Sequence, residues 1–200
     1  ARRSVLRFLQ FGTPDDEFFL VSFNQKTTLV QGFTRQAASL ERSISSIKPR
    51  GRTALYDAVH LGMEEIRAAK NRKNALILIT DGEDNSSRYT VAEVRDLASE
   101  SGAPIYAVGE KGKLGYGQQE IQGLADLTGG RAFFPQTFSQ LDYYVDLIRS
   151  ELTHQYVLGY TPVNKARDGK WRKLQVKLAT PEGFSKMIVR TRQGYFASKE

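Results

Sequence analysis

The sequence has 200 residues, of which 40% are hydrophobic and 26% are charged. This composition is typical of one globular domain, with room for at most a small appendage. The chain contains no cysteine, which excludes a disulfide framework, a cysteine nucleophile and a thiolate metal site. No apolar run approaches the ~20 residues that a membrane-spanning helix requires, so the sequence predicts no membrane span.

The net charge of +7 is concentrated at one end of the chain. Residues 1–154 hold nineteen basic and nineteen acidic residues, whereas residues 155–200 hold ten basic and three acidic residues. A basic segment of this kind attracts nucleic acid or another anionic surface. Because the charges alternate with apolar residues, as they do on a β-strand, we favour the solvated outer face of a β-hairpin.

Apolar strands alternate with amphipathic helices along residues 1–154. The predicted helices span residues 2–11, 35–47, 54–69, 91–101, 118–128 and 139–153. The predicted strands span residues 18–23, 27–30, 75–80, 105–108 and 131–134. The runs at 18–23 and 75–80 are apolar almost throughout, as in strands that are buried on both faces. This order predicts an α/β fold, with an open, mainly parallel, Rossmann-like sheet flanked by helices.

The pattern changes after residue 154. Three segments, at 155–160, 173–178 and 187–192, alternate apolar with polar residues and are separated by turn-forming sequences. This pattern predicts a small antiparallel β unit rather than another strand-helix unit. We expect Leu174, Val176 and Leu178 to form an apolar face that packs against the preceding domain.

Two polar loops are predicted at the edge of the sheet where open α/β proteins bind ligands. The loop at 51–57 enters a helix and supplies the hydroxyl of Thr53, while the loop at 80–85 leaves a strand and supplies the carboxylate of Asp81. Hard oxygen ligands of this kind suit Mg²⁺, with Mn²⁺ or Ca²⁺ as alternatives. In the structural alternative, Thr53 is an ordinary N-cap and Asp81 is a turn residue.

Other polar residues have a structural interpretation. His60 and His154 lie singly in helical patterns, where packing or surface roles are more common than catalysis. Asp57 follows Thr53 by one helical turn, and we expect it to accept structural hydrogen bonds. Trp171 and the tyrosines of the last 46 residues are expected to be cross-strand packing pairs. The sequence therefore predicts no catalytic residue.

Several segments together resemble the von Willebrand factor type A (VWA) domain family. The most specific are Gly-Arg-Thr-Ala-Leu-Tyr-Asp-Ala at 51–58 and Ile-Leu-Ile-Thr-Asp-Gly-Glu-Asp at 77–84. The segments at 16–24, 102–109 and 124–134 are similar to other strands of that family and occur in the same order. The resemblance implies a VWA-like domain over residues 1–154.

The last part of the chain is similar to a bacterial subgroup of the same family. Tyr-Val-Leu-Gly-Tyr-Thr-Pro at 156–162, Asp-Gly-Lys-Trp-Arg-Lys-Leu at 168–174 and Val-Arg-Thr-Arg-Gln-Gly-Tyr-Phe at 189–196 carry this similarity. In that subgroup a β extension follows the A domain. The resemblance thus implies that residues 155–200 form a basic, antiparallel β extension.

The resemblance also implies a divalent cation at a metal-ion-dependent adhesion site (MIDAS), with Thr53 and Asp81 matching two of the family's ligands. The family's Asp-x-Ser-x-Ser motif and first strand have no match here, and the chain is expected to begin partway through the first helix. We therefore expect a partial or degenerate site that binds Mg²⁺ weakly or not at all. We also expect an empty strand position in the sheet, to be filled by upstream residues, by strand exchange or by an oligomer.

The leading functional hypothesis is a protein-binding, adhesion-type module that is not an enzyme. By resemblance, the metal would accept a carboxylate from a protein partner, and the location would be extracytoplasmic. One alternative is a metal-dependent phosphate-processing enzyme that uses Asp81 with Glu83 and Asp84. Another alternative is a nucleic-acid binder acting through the basic extension, which we consider less favoured than a protein partner.

Overall fold

The computed structural model describes residues 2–10, 12–47, 51–71, 73–80, 83–109, 116–179, 183 and 187–199. The helices are α1 (Arg2–Leu9), α2 (Ala37–Ser46), α3 (Leu55–Arg67), α4 (Val91–Ser101), α5 (Tyr116–Thr128) and α6 (Phe138–Thr153). The strands are β1 (Phe18–Phe23), β2 (Thr27–Thr34), β3 (Leu76–Thr80), β4 (Ile105–Gly109), β5 (Arg131–Phe133), β6 (Trp171–Lys173) and β7 (Gly194–Phe196). Within these residues, no helix combines the length and the apolar character that crossing a bilayer would require.

The central sheet is parallel and has the strand order β3-β4-β5. Leu76 pairs with Ile105 at the start of β3 and β4, and Tyr106 pairs with Arg131 at the start of β5. The strand β4 is buried along its whole length, because helices cover both faces of the sheet. These features confirm the predicted α/β class.

Alternate residues of β4 enter two different cores. Ile105 and Ala107 pack in a large core with α3, α4 and α5, whereas Tyr106 and Val108 pack with α6 on the opposite face. Phe8 of α1 also lies against this second core. The period-two alternation of a strand therefore decides which helix each side chain meets.

The strand at 18–23 forms a hairpin with the next strand and, in the described residues, makes no ladder with the strands at 75–80, 105–108 and 131–134, as expected for a sheet with an empty strand position. The strand β1 pairs with β2 in antiparallel register, with Phe23 opposite Thr27. In the described residues β1 and β3 do not pair with each other. The second strand is also longer than the predicted 27–30, since pairing continues to Thr34.

Residue types predict a helix cap at Thr90, with Glu93, and another at Thr34, and the structure confirms the first of these. Thr90 and Glu93 form the capping box of α4, with each side chain bonded to the other residue's backbone N–H. Thr34 is not the N-cap of α2, which begins after Gln36. The Thr34 hydroxyl instead accepts a hydrogen bond from the Gln36 N–H at 3.1 Å, so it stabilises the turn before the helix.

The C-terminal segment contains one short antiparallel pair, β6 with β7. The Trp171 ring meets the Phe196 ring edge-on at 4.9 Å, and Tyr160 meets Tyr195 at 6.4 Å, as expected for packing pairs. The expectation is wrong for Tyr156, whose side chain is exposed. The longer strands predicted at 155–160, 173–178 and 187–192 are largely extended chain without ladder pairing. The expectation that Val176 and Leu178 pack against the preceding domain is wrong, since both side chains are exposed.

This segment contacts the preceding domain at the end of α5. The Gln193 N–H donates to the Leu127 carbonyl oxygen at 3.1 Å, and Gln193 in turn accepts from the Leu174 N–H. Gly129 has a φ of +83°, and a Cβ there would lie 2.5 Å from the Thr191 backbone. Only glycine combines this left-handed conformation with such a close approach. The division of the chain at residue 154 stays a prediction.

Candidate functional site

The loops that carry the predicted site residues lie near the end of β3 and are bonded to each other. The Thr53 N–H donates to Asn85 Oδ1 at 2.8 Å, and the Asn85 N–H donates back to the Thr53 carbonyl oxygen at 2.9 Å. This reciprocal pair joins residues that are 32 positions apart in the sequence. The segment that enters α3 is therefore fixed to the segment that leaves β3.

Asp84 supplies the N-terminal cap of α3 from the other loop. Its Oδ1 accepts the N–H groups of Leu55 at 2.7 Å and Tyr56 at 3.3 Å. The same oxygen accepts the Ser87 hydroxyl at 2.5 Å. The N-cap residue itself is Ala54, which has no capping side chain. A carboxylate at this position satisfies N–H groups that the helix cannot pair internally and interacts favourably with the helix dipole.

Asp57 anchors the next turn of the same helix. It is 8% exposed, and its carboxylate accepts the N–H groups of Arg88 and Tyr89 at 2.8 Å and 3.1 Å. The Arg88 guanidinium adds a third bond at 3.3 Å. Burial by itself would raise the pKa of Asp57, but these hydrogen bonds outweigh it and hold the pKa below its ordinary value. Asp57 thus has the structural role that its spacing predicts.

The turn between β1 and β2 is the third segment at this edge. The Asn24 carbonyl oxygen accepts the Ala54 N–H at 2.7 Å. A polar cleft of about 380 Å³ opens between the turn and the loop after β3. It is lined by Gln25, Lys26, Thr27, Asp57, Ser86 and Arg88. Lys26 and Arg88 are exposed and give its rim two positive charges.

The contact between Tyr56 and Glu120 connects α3 with α5. The Tyr56 hydroxyl donates to the Glu120 carboxylate. Burial and this bond to a carboxylate both raise the pKa of Tyr56, so the phenol stays protonated at neutral pH. The start of α3 is thereby held from two sides, by Asp84 and by Glu120.

Thr53, the first predicted ligand, lies half-buried at the junction of these loops. Its backbone makes the bonds to Asn85, while its hydroxyl makes no hydrogen bond to another described residue. Thr53 is therefore not the N-cap that the structural alternative assumed. Asp81, the second predicted ligand, directly follows the last residue of β3 in sequence and lies outside the described residues. Among the residues that are described, no three acidic or histidine side chains cluster as a metal centre would require.

The residues proposed for the alternative enzymatic function have different positions. Asp84 uses Oδ1 to cap α3 and to hold Ser87, so this oxygen is committed to structure. Glu83 is exposed. The histidines have the structural roles expected of them: His60 stacks on Tyr89 at 3.8 Å, and His154 bonds the Ser150 carbonyl at the end of α6.

Sequence reasoning missed the structural role of two residues of this site, Asp84 and Asn85. The signal was present, because Asp and Asn favour positions that bond nearby backbone N–H groups. Both residues follow β3 in a polar loop, but Asp84 bonds the start of α3 and Asn85 bonds Thr53 just before it, about 30 residues earlier in the sequence. Rules that consider only neighbouring residues do not predict hydrogen bonds between residues so far apart in the sequence.

An open parallel sheet with helices on both faces, and with polar loops joined at its carboxyl edge, defines a domain of the α/β class, in which that edge is where ligands generally bind. The profile of the von Willebrand factor type A domain matches residues 2–147. The chain belongs to the VWA domain family. No curated protein sequence matches the chain.

Solved structures with the same fold include VWA domains from bacteria and an animal. A von Willebrand factor type A structure from Catenulispora acidiphila superposes with a TM-score of 0.66 at 16% identity, over 78% of this chain and 38% of that one. The vWF domain of the type V pili tip protein Mfa5 from Porphyromonas gingivalis gives 0.58 at 12% identity, over 78% and 88%. Proximal thread matrix protein 1 from the mussel byssus, solved with a zinc-occupied MIDAS motif, gives 0.62 at 18% identity, over 76% and 41%.

Proposed function

We propose that this chain is a protein-binding module that uses the carboxyl edge of its sheet to hold a divalent cation and, through it, a carboxylate of a partner protein. The observation that supports this proposal is the pair of hydrogen bonds between Thr53 and Asn85, which joins the two loops. Domains of this family generally act as interaction modules rather than as enzymes, and the mussel protein above carries a metal in its MIDAS motif.

The donor set suits a hard cation. The Thr53 hydroxyl makes no hydrogen bond within the described part of the chain, so it is available as an oxygen ligand, and Asp81 would supply the negative charge. A cation such as Mg²⁺ keeps several positions for other oxygen ligands when the protein supplies few. The chemistry that the metal brings is therefore an electrophilic position that accepts a carboxylate oxygen. The bonds around Thr53 would hold its backbone still while that position is filled.

Residues 1–200 offer two ligands of the kind that this family uses, and we expect them to bind Mg²⁺ weakly. Calorimetric titration of the 200-residue chain with Mg²⁺ and Mn²⁺ tests this expectation. Binding should be far weaker than micromolar, and Asp81→Ala and Thr53→Val should both weaken it further. Asp96→Ala, which removes an exposed carboxylate from α4, is the matched control and should change nothing. Micromolar affinity that survives Asp81→Ala would place the metal elsewhere and refute the assignment.

A second part of the proposal concerns the gap in the sheet. Phe19 and Phe23 of β1 and Leu76 of β3 all pack on the core that contains α3. On the other face, Phe18 of β1 packs near α1, and Phe8 of α1 reaches the core beside β3. On one face α3, and on the other face α1, thus lies against residues of both β1 and β3. These two strands nevertheless do not pair in the described residues. We propose that one further extended segment lies between them, supplied by polypeptide outside this chain or by a second molecule.

Hydrogen exchange at single residues of β3 tests the strand position. The Leu76 N–H donates toward β4, so alternation along the strand directs the N–H groups of Ile77 and Ile79 to the opposite edge. A paired edge should protect Ile77 and Ile79 as strongly as Leu78, which serves as the control on the β4 side. Rapid exchange of Ile77 and Ile79, with Leu78 protected, both in the 200-residue chain and in a longer polypeptide that contains it, would show an open edge and refute this part.

A further inference from the structure

The C-terminal segment presents an exposed surface that is both apolar and basic. We call it the tail surface and define it as residues 155–179 and 187–199. Its exposed apolar side chains are Tyr156, Val157, Leu158, Tyr160, Val163, Val176, Leu178, Met187 and Ile188. Tyr156 and Val163 are 90% and 101% exposed, which is the accessibility of side chains that nothing covers. Apolar side chains clustered in this way generally mark an interaction site.

The extended segments of the tail surface lie beside one another. Tyr160 contacts Tyr195, and the Arg192 guanidinium lies 5.6 Å from the centre of the Tyr195 ring. At the other end, Gln155 and Arg190 both act on Tyr106, where burial is the main cause that raises the pKa to about 12. Tyr160 and Arg192 therefore both lie beside the Tyr195 ring. The exposed apolar side chains that precede Tyr160 are thus close in sequence to a point where apolar and basic groups meet.

The positive charge of the molecule lies on the same surface. The last 46 residues carry the whole net charge of +7. Exposed basic side chains here are Lys165, Arg167, Lys170, Lys173, Lys177, Arg190 and Lys199. Asp168, the acidic residue described in this segment, is paired with Arg172 at 2.7 Å. The remaining basic side chains therefore face solvent with little local compensation.

We propose that the tail surface docks on an anionic phospholipid bilayer and lies in the plane of its interface. Exposed aliphatic and tyrosine side chains insert at the boundary between headgroups and acyl chains, and neighbouring lysines interact with anionic headgroups. Lysine suits this role because its aliphatic stem follows the apolar layer while its ammonium group reaches the headgroups.

Two observations favour a bilayer over macromolecular partners. Nucleic-acid platforms stack bases on aromatic rings, but most exposed apolar side chains here are aliphatic, and Tyr160 already packs against Tyr195. Protein interfaces are depleted in lysine, whereas this segment has exposed lysines at Lys165, Lys170 and Lys173. A segment with both exposed lysine and exposed aliphatic side chains matches a lipid interface better than either alternative.

The position of the tail surface leaves the proposed metal edge accessible. The segment is attached at the ends of α4 and α5, where Gly102 lies near Arg192 and Gly129 lies against Thr191. These helix ends adjoin the starts of β4 and β5, at the opposite edge of the sheet from Thr53. A membrane-docked molecule would thus turn the metal edge away from the bilayer.

Cosedimentation of the 200-residue chain with vesicles tests the proposal. The chain should bind phosphatidylglycerol-rich vesicles and bind pure phosphatidylcholine vesicles weakly, and added salt should reduce binding. Lys173→Gln with Lys177→Gln should lower the partition coefficient roughly 25-fold, since each lysine near an anionic surface contributes roughly fivefold. Val157→Ser with Leu158→Ser should lower it at least about tenfold, because each buried methylene contributes roughly fourfold.

Matched controls remove the same groups from the other part of the chain. Lys70→Gln with Lys73→Gln removes two exposed charges near β3, and Tyr143→Ser removes an exposed ring from α6. Both should bind vesicles as the wild type does. Equal loss in the controls would refute a specific tail surface.

Three other outcomes would also overturn the proposal. One is binding to a DNA duplex, but not to anionic vesicles, that the lysine variant weakens and the Val157/Leu158 variant leaves intact. Another is a dimer in sedimentation equilibrium that the Val157/Leu158 variant dissociates, without vesicle binding by either form. The third is absence of binding to anionic vesicles at low salt by the folded wild-type chain. None of these results bears on the Mg²⁺ titration, so the two proposals fail separately.

Discussion

Replacing Asp84 by alanine should destabilise the domain and loosen the candidate metal site. Asp84 Oδ1 accepts the N–H groups of Leu55 and Tyr56 and the hydroxyl of Ser87. Asp84→Ala leaves these donors without their acceptor. The first turn of α3 then keeps the bond from the Asp57 N–H to Ser87 Oγ at 3.1 Å but loses the acceptor for its first two N–H groups, since Ala54 has no capping side chain.

The expected loss in the free energy of unfolding is about 2–3 kcal/mol. Removing a capping side chain costs about 0.5–2 kcal/mol, and losing a carboxylate beside the helix N-terminus costs about 0.3–1 kcal/mol. The bond to the Ser87 hydroxyl contributes about 0.5–1.5 kcal/mol. Water reaches part of this loop, because Asp84 is only half-buried, so the total stays below the sum of the upper limits.

Urea unfolding followed by circular dichroism measures the loss, and the melting temperature should fall by roughly 5–10 °C for a domain of this size. Asp84→Asn keeps an oxygen acceptor and removes only the charge, so it should cost about 1 kcal/mol. Glu83→Ala, one residue earlier and exposed, is the control and should stay within ~0.5 kcal/mol of wild type. A loss below ~0.5 kcal/mol for Asp84→Ala would refute the idea that this residue holds α3 in place.

Two further substitutions test buried polar groups. Asp57→Asn should cost about 1–2 kcal/mol at neutral pH, because it removes the charge from a carboxylate that accepts three hydrogen bonds. The folded pKa of Asp57 lies below its unfolded value, so this stabilisation is present above the unfolded pKa and is lost as pH falls through the folded pKa. Urea titrations should therefore show wild type and variant converging below about pH 4; a constant difference down to strong acid would contradict this account. Thr128→Val should cost about 1–3 kcal/mol, since the Thr128 hydroxyl accepts the buried Ile105 N–H at 2.9 Å, and Thr128→Ser should recover most of that loss; equal losses in the two variants would show that the methyl group matters instead.

The sequence predicted the order of helices and strands in residues 1–154 because those signals are local. The apolar run of β3, the helix periodicity of α3 and the capping box at Thr90 each involve residues within a few positions of one another. Ile105 and Tyr106 show the limit of such signals. Alternation indicates that they face opposite sides of a strand, but it does not indicate which helices cover those sides.

The candidate site was predicted in part. Thr53 lies before a helix as its type and position predicted, while its role as a metal ligand stays a prediction, and Asp57 was correctly expected to accept structural hydrogen bonds. The contacts of Asp84 and Asn85 with the start of α3 cross about 30 residues, and no local pattern specifies such a partner. Cap formation across loops depends on how the strands are arranged, which is a tertiary property.

The C-terminal segment shows most clearly what the sequence determines and what only the tertiary structure determines. Its sequence fixes an extended, alternating and basic chain, which follows from residue types alone. Alternation predicts that one face is apolar, and burial of that face was the natural expectation for Val176 and Leu178. Whether an apolar face is covered depends on the surfaces that neighbouring elements present. In this chain the segment contacts the domain through Gln193 and Thr191 at the end of α5, whereas Val176 and Leu178 lie exposed.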